Sequence, residues 1–138
     1  MKRILKALAF ISVVIIIGYL IVMNLPKANI KSKAALETIT ADQLYNSFES
    51  DEQAAEKKYI GQVINVSGKV ADRYEDESGA MVLLFENESG TSTAMVTLEE
   101  SQTKAAENVK LGDLVEVKAL CTGKLMEVVL AKGIINVP

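Results

Sequence analysis

The chain of 138 residues is long enough for one small domain beside an N-terminal segment. It contains 15 basic residues, 18 acidic residues, one cysteine and no histidine. This inventory excludes an internal disulfide, a histidine-cysteine zinc site and cysteine–histidine nucleophilic catalysis. The domain must therefore be held together by its apolar core, and the residues predict neither a cofactor nor a metal.

The first element is an apolar segment, residues 4–23, which carries no charge after Lys6. A helix rises about 1.5 Å per residue, so this length crosses a hydrocarbon core of about 30 Å. We therefore predict a transmembrane signal anchor over residues 1–25, with membrane lipid as its partner through residues 4–23. Because Lys2, Arg3 and Lys6 precede the apolar run, the positive-inside rule places the N-terminus in the cytoplasm and the remaining chain across the membrane.

A cleaved secretory signal is the alternative for the same segment. The apolar run exceeds the about 7–15 residues usual in such signals. The exit at residues 24–28 lacks both a small-residue cleavage pattern and the cysteine of a lipoprotein. Lys27, Lys31 and Lys33 follow the segment and reduce the charge contrast on which the orientation depends. The pattern favours an uncleaved anchor and leaves cleavage open.

The part of the chain beyond the anchor is acidic. Of the 15 basic residues, Lys2, Arg3 and Lys6 belong to the anchor, which leaves 12 against 18 acidic residues and a net charge of −6. Proteins obtain most of their affinity for nucleic acid from positive charge that faces phosphates. The sequence therefore disfavours nucleic acid as a partner.

Residues 26–39 have the polar, lysine-bearing composition of a loosely ordered linker. We predict the folded domain over residues 40–138, with a helical lead-in at residues 40–58. Thr40 and Gln43 fit the capping box that begins a helix. Ser50 and Gln53 repeat this pattern, which predicts a second short helix at residues 51–58.

From residue 62 onward, apolar and polar residues alternate with the period of a β-strand. Ile64, Val66, Gly68 and Val70 share one face of a long first strand. The predicted strands are residues 62–74, 80–86, 91–98, 114–121 and 125–137, with a helix at 99–109 and a tight turn at 122–124. This mostly β order is that of a five-stranded OB-type Greek-key barrel (β-β-β-α-β-β), preceded here by the transmembrane helix and the short helices.

The first strand of an OB-type barrel bends because it pairs in both halves of the barrel. We predict that Gly68 allows this bend or a bulge, and that Gly133 allows another in the last strand. A small open β-sandwich built on the same strands is the rival fold.

Four stretches resemble a known family: AAEKKYIG at residues 54–61, VINVSGKV at 63–70, LGDLVEV at 111–117 and CTG at 121–123. Their order and spacing are similar to those of the bacterial tRNA_anti-like family of exported or membrane-anchored OB-fold proteins. The resemblance covers roughly residues 42–137. The family is named for its fold similarity to the anticodon-binding domains of tRNA synthetases, so the resemblance implies the fold without implying tRNA binding.

OB barrels commonly bind ligands on the face of their second and third strands, beside the loops that follow strands one and four. On this chain that face is lined by residues 81–98. The ligand-binding candidates at its edges are Arg73, Tyr74 and Lys124. Phe85 also lies in this region, and its apolar neighbours favour a place in the core.

Two other features could suggest chemistry. Asp72, Glu75, Asp76 and Glu77 crowd one turn, but they lack the spacing of an EF-hand loop, so we interpret them as a solvated acidic turn. Cys121 falls on the inward face of a strand, which predicts a buried and unreactive thiol. We therefore predict no catalytic residue and no enzymatic activity.

The sequence as a whole predicts a membrane-anchored, extracytoplasmic OB-fold module that binds a protein, a peptide or an oligosaccharide. A structural role in an envelope protein complex is the alternative. Binding of single-stranded nucleic acid is a further alternative, against which the net charge counts.

Overall fold

A computed structural model describes residues 1–23 and 29–136 of the chain. The predicted anchor forms the helix α1, Lys2–Met23. Among the described residues, α1 is the one helix that is long and apolar enough to cross a membrane, and no part of its candidate span is buried inside the protein. The predicted end of the anchor at residue 25 lies outside the described residues.

Beyond the anchor, the described chain forms six strands and four helical segments. In order they are β1 (Thr38–Thr40), α2 (Ala41–Ser50), α3 (Glu52–Tyr59), β2 (Val63–Glu75), β3 (Met81–Glu86), β4 (Ser92–Leu98), a 3-10 helix (Glu100–Gln102), α4 (Thr103–Glu107), β5 (Leu114–Lys124) and β6 (Val128–Asn136). The five predicted strands correspond to β2 through β6. The short strand β1 was not predicted.

Strands β2 to β6 close into a barrel. The antiparallel pairs are β2 with β3, β2 with β5, β3 with β4, and β5 with β6. A parallel pair between β4 and β6 completes the ring. The closed ring confirms the predicted OB-type barrel over the rival open sandwich.

The interior of the barrel is filled by apolar residues that alternate along its strands, among them Ile64 and Val66, which the sequence placed on one face. Ile64, Val66, Val96, Val117 and Leu130 are all fully buried. The helices α2 and α3 add Phe48 and Tyr59 to the same core, with ring centroids 6.2 Å apart. These helices therefore contribute directly to the hydrophobic stabilisation of the barrel.

The two helices begin at side-chain caps. The predicted capping box is confirmed: the Gln43 amide N–H donates to the Thr40 hydroxyl at 3.1 Å, and the Gln43 side chain accepts from the Thr40 N–H at 3.3 Å. The second helix is capped one residue later than predicted, because Ser50 still belongs to α2. Asp51 accepts from the Ala54 N–H at 3.1 Å, and its negative charge also suits a helix N-terminus.

Strand β2 changes partner along its length. Residues 63–69 pair with β5, and the part from Lys69 to Glu75 pairs with β3. Gly68 lies at this change, and a Cβ atom on it would be 2.7 Å from Cγ of Phe85. The irregularity in pairing occurs later, between Val70 and Asp72. Gly68 therefore provides room for the Phe85 ring, whereas the sequence assigned it a bend.

Two hairpin turns of the barrel share one design. Asp76 opens the turn from β2 to β3, and Asn87 opens the turn from β3 to β4, each followed by Glu-Ser-Gly. In both turns the Oδ1 atom accepts hydrogen bonds from the serine N–H, the serine hydroxyl and the N–H four residues on, at 2.6–3.0 Å. Gly79 and Gly90 have φ angles of 87° and 82°, which favour glycine. The predicted solvated acidic turn is thus an ordered hairpin whose hydrogen bonds, led by that from Ser78, lower the pKa of Asp76.

The described part of the predicted linker lies against the barrel. Ile30 is fully buried and packs with Val63 and Ile134, while Leu120 borders this cluster. The Leu36 N–H donates to the Val63 carbonyl at 2.7 Å, and β1 then runs parallel to β2. This differs from the expected loosely ordered connector, since a single buried isoleucine among polar residues creates no periodic pattern.

The second half of the barrel also differs in its boundaries. The predicted turn at residues 122–124 belongs to β5, because Lys124 pairs with Val128. The hairpin tip is therefore residues 125–127. The helical segments between β4 and β5 end at Glu107, two residues before the predicted end. Gly133 packs closely against Val96, whose Cγ1 would be 2.6 Å from a Cβ at that position.

Candidate functional site

An apolar surface covers the outer face of the barrel between β2 and β6. Leu83 and Phe85 point into the core, so their neighbours Val82 and Leu84 point outward. Cross-strand pairing joins Tyr74 to Val82, Leu84 to Met95, and Met95 to Val129. We call these five outward residues the apolar face: Tyr74, which is exposed, Leu84, Met95 and Val129, which are partly exposed, and Val82, which is buried among them.

Tyr74 is the most exposed residue of the apolar face. Its side chain is 40% exposed, and its hydroxyl lies 3.6 Å from Sδ of Met95. Because β3 separates β2 from β4, the Tyr74 side chain must extend across β3 to reach Met95. A flat ring beside a thioether gives a surface that can adapt to an apolar partner.

The charges around the apolar face are mainly negative. Asp72 lies in the same cross-strand row as Leu84, and the acidic hairpin at residues 75–77 continues from β2. Lys69 is the cation on this side of β2, and its Nζ atom lies 3.0 Å from Oε1 of Glu86. The surface therefore combines an apolar centre with carboxylates at its border.

Arg73 points away from the apolar face. The Nη1 atom of its guanidinium lies 2.7, 2.8 and 2.8 Å from the carbonyl oxygens of Ala106, Glu107 and Val109, which share its two N–H donors. These carbonyls lie at the end of α4, where most helix carbonyls lack an N–H partner four residues on, although the Val109 N–H also donates to the Ala106 carbonyl at 3.1 Å. The predicted ligand-binding candidate Arg73 thus caps a helix in this structure.

Lys124 lies at another part of the barrel, against α2. Its Nζ atom is 2.6 Å from Oε1 of Glu49 and 5.1 Å from the ring centroid of Tyr45. The hydrogen bond to Glu49 is the main cause that raises the pKa of Lys124. Among the described contacts, none joins the side chains of Arg73, Tyr74 and Lys124. Tyr74 is the one candidate on the apolar face.

A groove lies between α4 and the start of β5. It has a volume of about 860 Å³ and combines apolar side chains such as Val109, Leu114 and Ile135 with the polar side chains of Asp113 and Glu116. Leu114 is 80% exposed at its rim. The sequence analysis did not identify this groove, because its lining also includes Ser67 of β2 and Ile135 of β6, which are distant in the chain from α4.

A polar cluster holds β1 against α3. The Tyr59 hydroxyl donates to Oε1 of Glu37 at 2.7 Å, and Nζ of Lys58 lies 3.2 Å from the same oxygen. The hydrogen bond from Tyr59 is the largest cause that lowers the pKa of Glu37. Since these groups satisfy one another, we interpret the cluster as structural.

Cys121 is fully buried in the barrel core. Burial raises the pKa of its thiol to about 11, so the reactive thiolate is scarce at neutral pH. Within residues 1–23 and 29–136, no three histidine, cysteine, aspartate or glutamate side chains are grouped to hold a metal ion.

Comparison with solved structures finds similar proteins, one of them with a TM-score above 0.5. A "putative nucleic acid-binding lipoprotein" from Klebsiella pneumoniae subsp. pneumoniae MGH 78578 is similar with a TM-score of 0.57 at 15% identity, over 72% of this chain and 91% of that one. A "putative aspartyl-tRNA synthetase" from Leishmania major Friedlin gives 0.48 at 13% identity, over 80% of this chain and 22% of that one. A chain from yeast Stn1 and Ten1 gives 0.44 at 14% identity, over 83% and 69%. At these identities the likeness concerns the fold alone.

No curated protein sequence matches the chain. A family model does match, and it extends over residues 1–135, which includes α1 as well as the whole barrel up to β6. The sequence resemblance noted above covered a shorter part, roughly residues 42–137, and pointed to the same family. The chain belongs to the tRNA_anti-like family.

Proposed function

We propose that this protein is a non-catalytic binding module, anchored to a membrane by α1, whose apolar face binds a polypeptide segment. The observation that carries the proposal is the position of Tyr74, which lies half-exposed across β3 beside Met95. Exposed aromatic and methionine side chains surrounded by polar groups are typical of protein-interaction surfaces.

The charge pattern supports a polypeptide over a nucleic acid. Lys69 is paired with Glu86, and Arg73 is occupied by three carbonyl oxygens. The Arg73 guanidinium is therefore engaged within the barrel, and the charge of Lys69 is partly offset by Glu86. Tyr74 is the one aromatic side chain on the apolar face, whereas single-strand binders usually stack bases on several aromatic residues. An uncharged or basic peptide with apolar side chains suits this surface best.

The two features that could suggest chemistry, Cys121 and the acidic turn, both have structural explanations. The thiol of Cys121 is buried and has a raised pKa. The carboxylate of Asp76 is held by its own hairpin. We propose that the barrel lies on the outer side of the membrane; α1 and the three cations at its N-terminus support this location through the positive-inside rule.

Site-specific photocrosslinking in intact cells tests the proposed face. A photoreactive phenylalanine analogue replaces Tyr74 in the full chain, and a matched variant carries it at Leu111, which is 64% exposed beside α4. We expect protein adducts from position 74 and few from position 111. Adding Leu84→Gln should remove the adducts while the melting temperature changes by only a few degrees. Equal yields at both positions would show that the apolar face has no special role.

A titration with a single-stranded oligonucleotide at low salt separates the two classes of ligand. Low salt strengthens any contact with phosphates, so it gives nucleic acid its best chance to bind. We expect no saturable binding. Saturable binding that is lost in Tyr74→Ser would show that the apolar face binds nucleic acid, and it would overturn the assignment of a polypeptide ligand.

A further inference from the structure

The tip of the β5–β6 hairpin exposes two large apolar side chains. Leu125 and Met126 are 82% and 83% exposed, more than any other large apolar residue described in the barrel. Their neighbour Lys124 is engaged with Glu49 and Tyr45. The tip protrudes from the barrel and lines neither the apolar face nor the groove beside α4. Two protruding apolar side chains can insert into a deformable surface such as that of a lipid bilayer.

The connection to α1 limits how far the barrel can lie from the membrane. The helix ends at Met23, and Ile30 is buried on the barrel seven residues later. Seven residues span at most about 25 Å even when fully extended. The barrel surface around Ile30 therefore stays within about 25 Å of the point where α1 ends.

The chain reaches the barrel at the end that carries this tip. From Leu36 to Thr40 the chain runs beside β2 in the direction from Val63 towards Ser67. Residue 30 therefore lies on the Val63 side, where Val63 pairs with Leu120. From Leu120, β5 continues towards the tip, and Met126 lies six residues on, at most about 22 Å away.

We infer that Leu125 and Met126 insert into the surface of the bilayer that α1 spans, an inference that rests on the membrane anchoring proposed above. The span from Met23 to Ile30 and the span from Leu120 to Met126 together allow the tip to reach the lipid while Ile30 stays buried on the barrel. Apolar side chains gain free energy when they leave water for the boundary of the acyl chains.

The attraction of the tip to lipid is apolar. Glu127 follows Met126 in the chain, and Glu49 is paired with the ammonium group of Lys124. No uncompensated cation is therefore contributed by residues 124–127 to recruit acidic headgroups. The tip should bind zwitterionic phosphatidylcholine, and insertion would hold the barrel in one orientation by two attachments, at Ile30 and at the tip.

The absence of tryptophan from the chain permits a direct test. Three single-tryptophan variants of the full chain, Met126→Trp, Leu111→Trp and Phe10→Trp, are reconstituted in phosphatidylcholine vesicles with and without brominated acyl chains. Bromine quenches only a tryptophan that contacts the acyl region. We expect the emission to fall about twofold or more at positions 10 and 126 and to stay unchanged at 111, because Leu111 lies at the other end of β5.

The other outcomes overturn the inference in distinguishable ways. Quenching at position 10 alone would leave the anchor in place and refute insertion of the tip. Quenching at none of the positions would refute both the anchor and the tip. Equal quenching at 111 and 126 would show adsorption without orientation. A blue shift at 126 without quenching would show that a protein surface or a second copy of this chain covers the tip.

Discussion

Position 68 requires glycine because the Phe85 ring leaves no space for a side chain. The glycine lies where β2 passes from β5 to β3, and the Phe85 ring packs directly on its Cα. Its φ angle is not among the positive ones, so glycine is not required by backbone conformation. The close approach of the ring is the reason that a larger residue is unfavourable there.

We expect Gly68→Ala to lower the free energy of unfolding by about 1–3 kcal/mol, because its Cβ would collide with a buried ring. Lys69→Ala should lower it by less than about 1 kcal/mol, since the ion pair with Glu86 is half-exposed. Urea denaturation of the full chain in detergent measures both values. A Phe85→Leu change made on top of Gly68→Ala should recover part of the loss. Equal losses at positions 68 and 69 would refute the steric explanation.

The alternation of apolar residues made much of the barrel predictable. It placed Ile64, Val66 and Val96 correctly inside, because a strand has only two faces and one of them is buried. It could not reveal that Phe85 lies over Gly68, since these residues meet only after β2 and β3 pair. The apolar face was missed as a unit for the same reason: Tyr74 and Met95 belong to strands separated by β3.

At the scale of elements, α4 depends on a side chain from a distant strand. It has only five residues, and an isolated helix of fewer than about 12 residues is marginal in water. Arg73 binds the carbonyl oxygens of Ala106, Glu107 and Val109, which are more than 30 positions away in sequence. The sequence predicts a ligand-binding role for Arg73, because no local pattern indicates that its side chain reaches the end of α4.

We expect Arg73→Met to lower the free energy of unfolding by about 2–3 kcal/mol, because it leaves carbonyl oxygens without their charged donor. Arg73→Lys should lose less, since an ammonium group retains a positive charge and some of the hydrogen bonds. Tyr74→Phe, which removes only the weak contact to Met95, serves as the neighbouring control and should stay within about 0.5 kcal/mol. Thermal unfolding followed by circular dichroism compares the three. An unchanged stability in Arg73→Met would return Arg73 to the ligand-binding candidates.

At the scale of the whole molecule, the chain divides into parts that were predictable to different degrees. The helix α1 follows from length and apolarity alone. The contact of Ile30 with Val63 and Ile134 does not, because one residue has no period. This contact nevertheless decides how closely the barrel is held to the end of α1. The proposed position of the barrel across the membrane rests on Lys2, Arg3 and Lys6.

The single native cysteine makes the orientation measurable. Cys121 is fully buried, and burial raises its pKa to about 11, so it should not react with a maleimide at pH 7. Glu88→Cys places a second thiol at the exposed hairpin between β3 and β4. We expect a membrane-impermeant maleimide to label this variant in cells whose cytoplasmic membrane is intact and to leave the native chain unlabelled, because the positive-inside rule predicts that the barrel lies outside that membrane. If Glu88→Cys is labelled only after the cells are lysed, the barrel lies in the cytoplasm, and the three N-terminal cations do not set the orientation.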